Sequence, residues 1–417
     1  MTTSHMIFDE WSDLYADRVH TMKRSAVRDL FAAASRSDII SLSGGMPDIR
    51  NLPLDIVADI ASAAVTDQGV SALQYGSTIG RLDTREAICD YLVEDGIVAK
   101  PEQMILTSGS QQALDLIAKT FINPGDMIIT EGPTYVSALQ AFSAYQPQVC
   151  AIDLDEEGIR VDLVEAELKK HGRGGCKFIY TIPNFHNPTG ITMSLARRRR
   201  LVELAREYGT ILIEDNPYGQ LRYTGEKVPA MRSMDDHVIY LGTVSKIFAP
   251  GLRVGWILAP KPILDQINLV KQGTDLCGSA LNQVIVEHYF TTTDWRSIIA
   301  SLIEVYKPRR EAMLAALEEY FPPEATWTHP EGGFFVWVTL PRYLDTDELL
   351  PLALDKGVTY VPGKGCYPDG RGVSSMRIAF CYEQPEAIEE AIRRLAKVIE
   401  ERMELYRAFI KAGLLEG

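Results

Sequence analysis

Residues 177–215 read KFIYTIPNFHNPTGITMSLARRRRLVELAREYGTILIED. Apolar residues crowd 177–183 and again 211–215, two short runs of the kind a buried strand needs. Between them, residues 195–208 set Leu201, Leu204, Ala205 and Tyr208 at helical spacing. Strand, helix and strand in succession predict neighbouring parallel strands whose connection packs on the sheet.

The rhythm continues on either side. Residues 127–130, 238–245 and 254–260 read as further buried strands with amphipathic helices between them. The expected fold class is α/β, a mainly parallel sheet with helices on both faces. After about residue 295 the pattern changes to a long helix over 298–320, then strands over 333–340 and 375–382. A last helix from 385 to 405 or beyond carries Ile388, Ala391, Ile392, Leu395 and Ile399 along one face. A smaller α+β domain fits this half. The expected division is 1–54 as an N-terminal arm and part of the small domain, 55–295 as the large domain, and 296–417 as the C-terminal small domain.

The 417 residues carry a net charge of −14 with 46% apolar residues, the profile of a globular protein. An acidic chain repels nucleic-acid phosphates and anionic lipid, so neither is expected as a partner. No apolar run approaches the roughly 18 residues of a membrane span. Asp9, Glu10, Asp13 and Asp17 stand where a leader peptide would be basic. Six cysteines without a C-x-x-C pair argue for free thiols in a reducing cytosol and against a metal site. The four arginines 197–200, at a helix start, read as a solvated face. The stretch from Asp153 to Gly158 imitates a calcium loop but has Val164 where the bidentate Glu belongs, so a turn is expected. Neither G-x-G-x-x-G nor a phosphate-binding G-x-x-x-x-G-K-[ST] motif occurs.

In an open parallel sheet, ligands bind beyond the carboxyl ends of the strands. Asn187 follows the 177–183 strand, Asp215 closes the next, and Ser245-Lys246 ends the 238–245 strand. Thr107-Ser108-Gly109-Ser110-Gln111-Gln112 leads into a helix with Leu114, Ile117, Ala118 and Phe121 on one face. Its small residues and free first-turn N–H groups suit a phosphate, and Arg253 could add a guanidinium. Each feature also has a plain structural reading: a helix cap, a turn, or an internal ion pair.

Together, Asn187-Pro188-x-Gly190, Asp215-x-x-Tyr218 and Ser245-Lys246 followed by Arg253 resemble the fold type I pyridoxal-phosphate aminotransferases of class I/II, in order and approximate spacing. Arg24-Ser25-Ala26-Val27-Arg28-Asp29-Leu30 and Ser41-Leu42-Ser43-Gly44-Gly45-Met46-Pro47 are similar to the 2-aminoadipate and kynurenine aminotransferase branch. The resemblance implies pyridoxal 5'-phosphate bound to the large domain and attached to Lys246, whose amine also carries the proton. It implies Asp215 at the ring nitrogen, Asn187 and Tyr218 at the phenolic oxygen, and Tyr135 stacked on the ring, where some relatives have Trp or Phe. Ser110, Gln111, Thr243, Ser245 and Arg253 would hold the phosphate, with Tyr75 reaching in from a second subunit of a homodimer. Arg377, helped by the backbone at Gly45, would grip the substrate α-carboxylate. Arg28, on a short helix expected near 25–34, would meet acidic side chains.

The implied activity moves the amino group of an L-amino acid of the 2-aminoadipate, aromatic, branched-chain or glutamate type to a 2-oxo acid such as 2-oxoglutarate. A lyase or decarboxylase using the same cofactor is the alternative, because the protein only orients the bond that breaks. A cofactor-sensing regulator is a further one, disfavoured because the roughly 40 residues before Gly44 leave no room for a DNA-binding module.

Overall fold

The structure, a computed structural model, describes residues 9–22 and 38–414. Strands are numbered along the chain: β1 Ile40–Ser41, β2 Met104–Thr107, β3 Met127–Gly132, β4 Gln148–Asp155, β5 Gly158–Ile159, β6 Phe178–Thr181 and β7 Ile211–Asp215. Then follow β8 Ile239–Thr243, β9 Gly255–Leu258, β10 Thr326–Trp327, β11 Phe335–Thr339, β12 Val358–Thr359, β13 Val361–Pro362 and β14 Ser375–Ala379.

The large sheet has the order β2-β9-β8-β7-β6-β3-β4-β5. Neighbours from β8 across to β4 run parallel, as the alternation of strand and helix predicts. Side chains alternate between its faces. Ile128, Phe178, Tyr180, Ile213, Ile239, Leu241 and Ile257 meet the helices Ser110–Phe121, Val136–Ser143 and Lys261–Asp275 on one side. Ile129, Ile179 and Leu212 meet the helices Val161–His171 and Leu195–Tyr208 on the other. The second of these is capped at both ends, by the Ser194 side chain and by Gly209 at φ 60°.

Two strand readings change. β9 pairs antiparallel with both β8 and β2; the link over 244–254 from β8 holds only the short 3-10 turn Pro250–Leu252 and no crossover helix. β8 ends at Thr243 rather than 245: the Thr243 hydroxyl accepts the Ser245 N–H at 3.1 Å and donates to the Val254 carbonyl at 3.0 Å, turning the chain out of the ladder. Lys246 therefore stands on a turn beyond the strand.

The smaller sheet, β10-β11-β14-β13, is antiparallel, and β1 pairs with β12 beside it. Its strands are shorter than read; Gly333 adopts φ 69° and stays outside β11. The helices Trp295–Tyr320 and Pro385–Lys411 cover it through Leu302, Tyr306, Met313, Ile388, Ile392 and Leu395. The 153–158 segment is a strand-turn-strand hairpin, as expected. Among the described residues no helix is long and apolar enough to cross a membrane.

The arginine run is a solvated face only in part: Arg199 is exposed, but Arg198 turns inward. Arg198 is fully buried and donates to the carbonyls of Pro183 and Met193 and to Asn184 Oδ1, at 2.9, 3.1 and 2.7 Å. Arg197 pairs with Asp155 and Arg200 with Glu165. A helix start beside a carbonyl-rich loop turned one cation inward, and that loop carries Asn187.

Candidate active site

Register brings the site together. Thr107 of β2, Gly255 of β9 and Thr243 of β8 lie side by side, so the Gly109-Ser110 turn, Arg253 and Ser245 meet at one sheet edge. On β7, next to β8, the same edge ends in Asp215. A Cβ on Gly255 would strike the Gly109 carbonyl carbon at 2.8 Å, and one on Gly109 (φ 74°) would strike the Arg253 guanidinium. Glycine at both positions permits the close approach.

Asp215 is buried. Its Oδ2 accepts from the Tyr180 hydroxyl at 2.7 Å, while Oδ1 has no partner. Burial pushes its carboxyl up to about 7; the Tyr180 hydrogen bond opposes the rise and Glu131 adds to it. A buried acceptor without a donor is costly, so the site suits a cationic or N–H-bearing group. Lys246 Nζ donates to the Gly45 carbonyl at 2.8 Å and lies 5.8 Å from the ring centres of Tyr218 and Phe334. Burial lowers its amine to about 8, leaving a neutral, nucleophilic fraction near neutral pH.

Arg377 alternates along β14 with the core residues Met376 and Ile378 and so faces away from the helices. It donates to Asn187 Oδ1 at 3.0 Å and to the Ser43 carbonyl at 2.7 Å, and its guanidinium covers the Phe335 ring at 4.4 Å. Its Nε has no partner. Among the described residues no carboxylate pairs with it, so the internal ion pair that would explain a buried arginine is missing. Tyr218 packs edge-on against Phe334 and Phe335, with its hydroxyl raised by burial.

At the Gly109 turn, Ser110 opens its helix with no side-chain cap. Thr243 Oγ1, whose proton goes to the Val254 carbonyl, lies 2.9 Å from the Ser245 hydroxyl, Gln111 donates to the Ser137 carbonyl at 3.1 Å, and Arg253, at φ 53°, donates to the Ser108 carbonyl at 3.3 Å. Tyr135 precedes the helix Val136–Ser143, and its hydroxyl is raised, chiefly by burial. Tyr75 is 81% exposed, and among the described residues its side chain makes no hydrogen bond or ring contact, so it is not the half-buried turn aromatic its sequence context suggests. Arg28 and its expected helix lie outside the described residues.

Sequence reading missed Tyr180, Phe334 and Phe335. A tyrosine in a buried strand needs a partner for its hydroxyl, which was the available signal for Tyr180. It also missed Glu131 and His186, a buried pair 3.0 Å apart; Glu131 accepts from Thr181 Oγ1 and from the Ile182 N–H, beside Asn187's loop.

The family model for aminotransferase class I and II matches residues 37–395. The chain belongs to this aminotransferase family. It is 46% identical over 401 residues to the aromatic-amino-acid aminotransferase 1 of Thermococcus litoralis, covering 94% of this chain and 96% of the relative. To the 2-aminoadipate transaminase of Thermus thermophilus it is 33% identical over 395 residues, covering 94% and 97%. The solved structure of Pyrococcus horikoshii kynurenine aminotransferase, crystallised with PMP and kynurenine, superposes with a TM-score of 0.90 at 43% identity, covering 94% of this chain and 98% of that one. The protein is thus a pyridoxal-phosphate-dependent transaminase acting on amino and 2-oxo acids.

The aminotransferase's own residues fit the cofactor. The unpartnered Asp215 Oδ1 suits a protonated ring nitrogen, the Lys246 amine suits an aldehyde, and the side-chain-free turn at Gly109 beside Arg253 suits a phosphate. When bound, the cofactor supplies an electron-accepting ring.

Proposed function

We propose that this transaminase takes its amino group from L-amino acids of the aromatic and 2-aminoadipate type, with 2-oxoglutarate as an acceptor. One observation carries the carboxylate-binding half of this reading: Arg377 is buried, without a carboxylate partner among the described residues, bonded to Asn187 and joined through Ser43 to the segment whose Gly45 carbonyl holds Lys246. A substrate α-carboxylate would neutralise Arg377 and bring its Cα amine beside Lys246. The donor class is supported by the activities for which the relatives are named.

In this reading Lys246 binds the cofactor and moves the proton, Asp215 holds the ring nitrogen, and Asn187 and Tyr218 meet the phenolic oxygen. Tyr135 covers the ring. Ser110, Gln111, Thr243, Ser245 and Arg253 cradle the phosphate. Tyr75, exposed at the edge of one protomer, completes the cradle of a second copy, and Leu73 and Val70 beside it are exposed apolar residues such an interface would cover. Arg28 selects acidic side chains. The division at 54 and 295 is supported by β1 pairing with β12, which ties the N-terminal arm to the C-terminal part. Six unpaired cysteines support a cytosolic location.

The test is a half-reaction screen: mix purified holoprotein with single amino acids and follow the cofactor absorbance and the products. Conversion of aromatic, 2-aminoadipate and glutamate donors to their 2-oxo acids is expected. Release of ammonia or carbon dioxide instead would favour a lyase or decarboxylase.

A further inference from the structure

Lys271 is fully buried, and no step above uses it. It lies on the helix Lys261–Asp275, which packs Leu264 and Ile267 against Ala113, Leu114 and Ile117 of the helix Ser110–Phe121. Its ammonium meets both carboxylate oxygens of Asp275, at 2.8 and 3.1 Å. Asp275 sits in the last turn, where the helix dipole disfavours a carboxylate, and a lysine four residues before its acid is the weaker order for such a pair. Helix stability therefore does not account for it.

The pair holds Gln112. Asp275 Oδ2 accepts from Gln112 Nε2 at 2.7 Å, and Gln112 Oε1 accepts from the Ser108 backbone N–H at 2.7 Å. The Ser108 carbonyl in turn accepts from Arg253 at 3.3 Å. One hydrogen-bonded chain thus runs from a buried ammonium to the turn around Gly109 and on to the guanidinium beside it.

We propose that Lys271, Asp275 and Gln112 are positioning residues for the cofactor phosphate: the buried ion pair orients Gln112, and Gln112 pins the 107–110 turn so that the first-turn N–H groups and Arg253 converge on one dianion. This rests on the phosphate cradle proposed above. A turn without that pin must be ordered on each binding event, and its entropy is subtracted from affinity. None of the three residues touches the phosphate, so their effect is confined to ligands that carry one.

The experiment titrates apoprotein with pyridoxal 5'-phosphate, with pyridoxal, and with inorganic phosphate as competitor. Gln112→Leu should weaken pyridoxal phosphate and phosphate about tenfold and leave pyridoxal within about twofold, the scale of one charge-linked hydrogen-bond network. Lys271→Met with Asp275→Asn keeps an acceptor for Gln112 and buries no lone charge, so it should hold pyridoxal phosphate within about threefold of wild type. Lys271→Met with Asp275→Leu removes the acceptor and should match Gln112→Leu, which keeps the test open if Gln112→Leu does not fold. Equal losses for pyridoxal and pyridoxal phosphate, or no loss in either acceptor-lacking variant, would overturn the relay. Wild-type protein that binds pyridoxal as tightly as its phosphate would overturn the cradle itself; a phosphate preference undiminished from wild type in every variant overturns the relay alone.

Discussion

At the ring end of the site Asp215 is enclosed, with one oxygen held by Tyr180 and the other waiting. At the end we propose for the phosphate, Arg253 faces solvent and the donors are backbone N–H groups of a helix start, while the exposed Tyr75 of the same protomer is left for a second copy. The ring end draws its strength from desolvation, which makes Asp215 reluctant to ionise until a cation arrives. The phosphate end draws it from geometry and, on our proposal, from a second subunit. Burial tunes the chemistry; exposure leaves the binding to be completed.

The sharpest test of this contrast is Lys246→Ala. It should lower turnover by about 10⁴-fold or more, the upper range for a lost proton-transfer group, while the protein stays folded and retains cofactor through the phosphate end. Near-normal activity would remove the ring end from the chemistry. Asp215→Asn comes next. An amide cannot stabilise a ring cation as a carboxylate does, and single-turnover reaction with a good donor should slow about 10²- to 10³-fold, with cofactor still bound. A small effect would mean another group holds the ring nitrogen.

The same residue should reveal itself through pH. Its folded carboxyl is raised from an ordinary 3.8 to about 7, so its contribution to apoprotein stability is complete below about 3.8 and is lost as pH rises to about 7. The total is roughly 4 kcal/mol. Glu214, buried and also raised to about 7, adds a parallel slope that is common to wild type and Asp215→Asn. Denaturation of both apoproteins from pH 4 to 7.5 should show wild type losing stability relative to the variant, and bound cofactor should abolish the difference. A flat difference would mean Asp215 is not desolvated as described.

Tyr75→Phe should weaken cofactor affinity about tenfold through one lost hydrogen bond to a dianion. Mixing Lys246→Ala protomers with Tyr75→Ala protomers should regenerate some activity, and a fully active monomer would refute sharing. The smallest effect is selective: Arg28→Gln should cost glutamate and 2-aminoadipate roughly 1–3 kcal/mol in kcat/KM and spare leucine and aromatic donors. Equal losses would exclude Arg28 as the acid-selective group.

Local pattern carried much of this. The strand-helix-strand rhythm and the residues at strand ends are set by near neighbours in the chain, so Asn187, Asp215 and Lys246 stand out and the mainly parallel sheet follows. A family motif preserves order and spacing, and both are covalent properties. What a side chain meets across the fold is not. Four consecutive arginines look alike on paper, yet Arg198 is buried among carbonyls that its own sequence neighbourhood only partly names. Tyr180 reaches Asp215 from the adjacent strand, and Lys271 reaches the Gly109 turn only through a helix far along the chain. β9 reads as one more buried strand because direction leaves no mark on composition; it runs antiparallel to β8 across a link that carries no crossover helix. The sequence by itself determined the fold class and the family and singled out the residues we propose to react, since those depend on periodicity and on chemistry at fixed spacing. Only the tertiary structure decided which buried charges are paired, which oxygen of Asp215 is left open and which cation faces solvent, because desolvation and hydrogen bonding depend on residues distant in the chain.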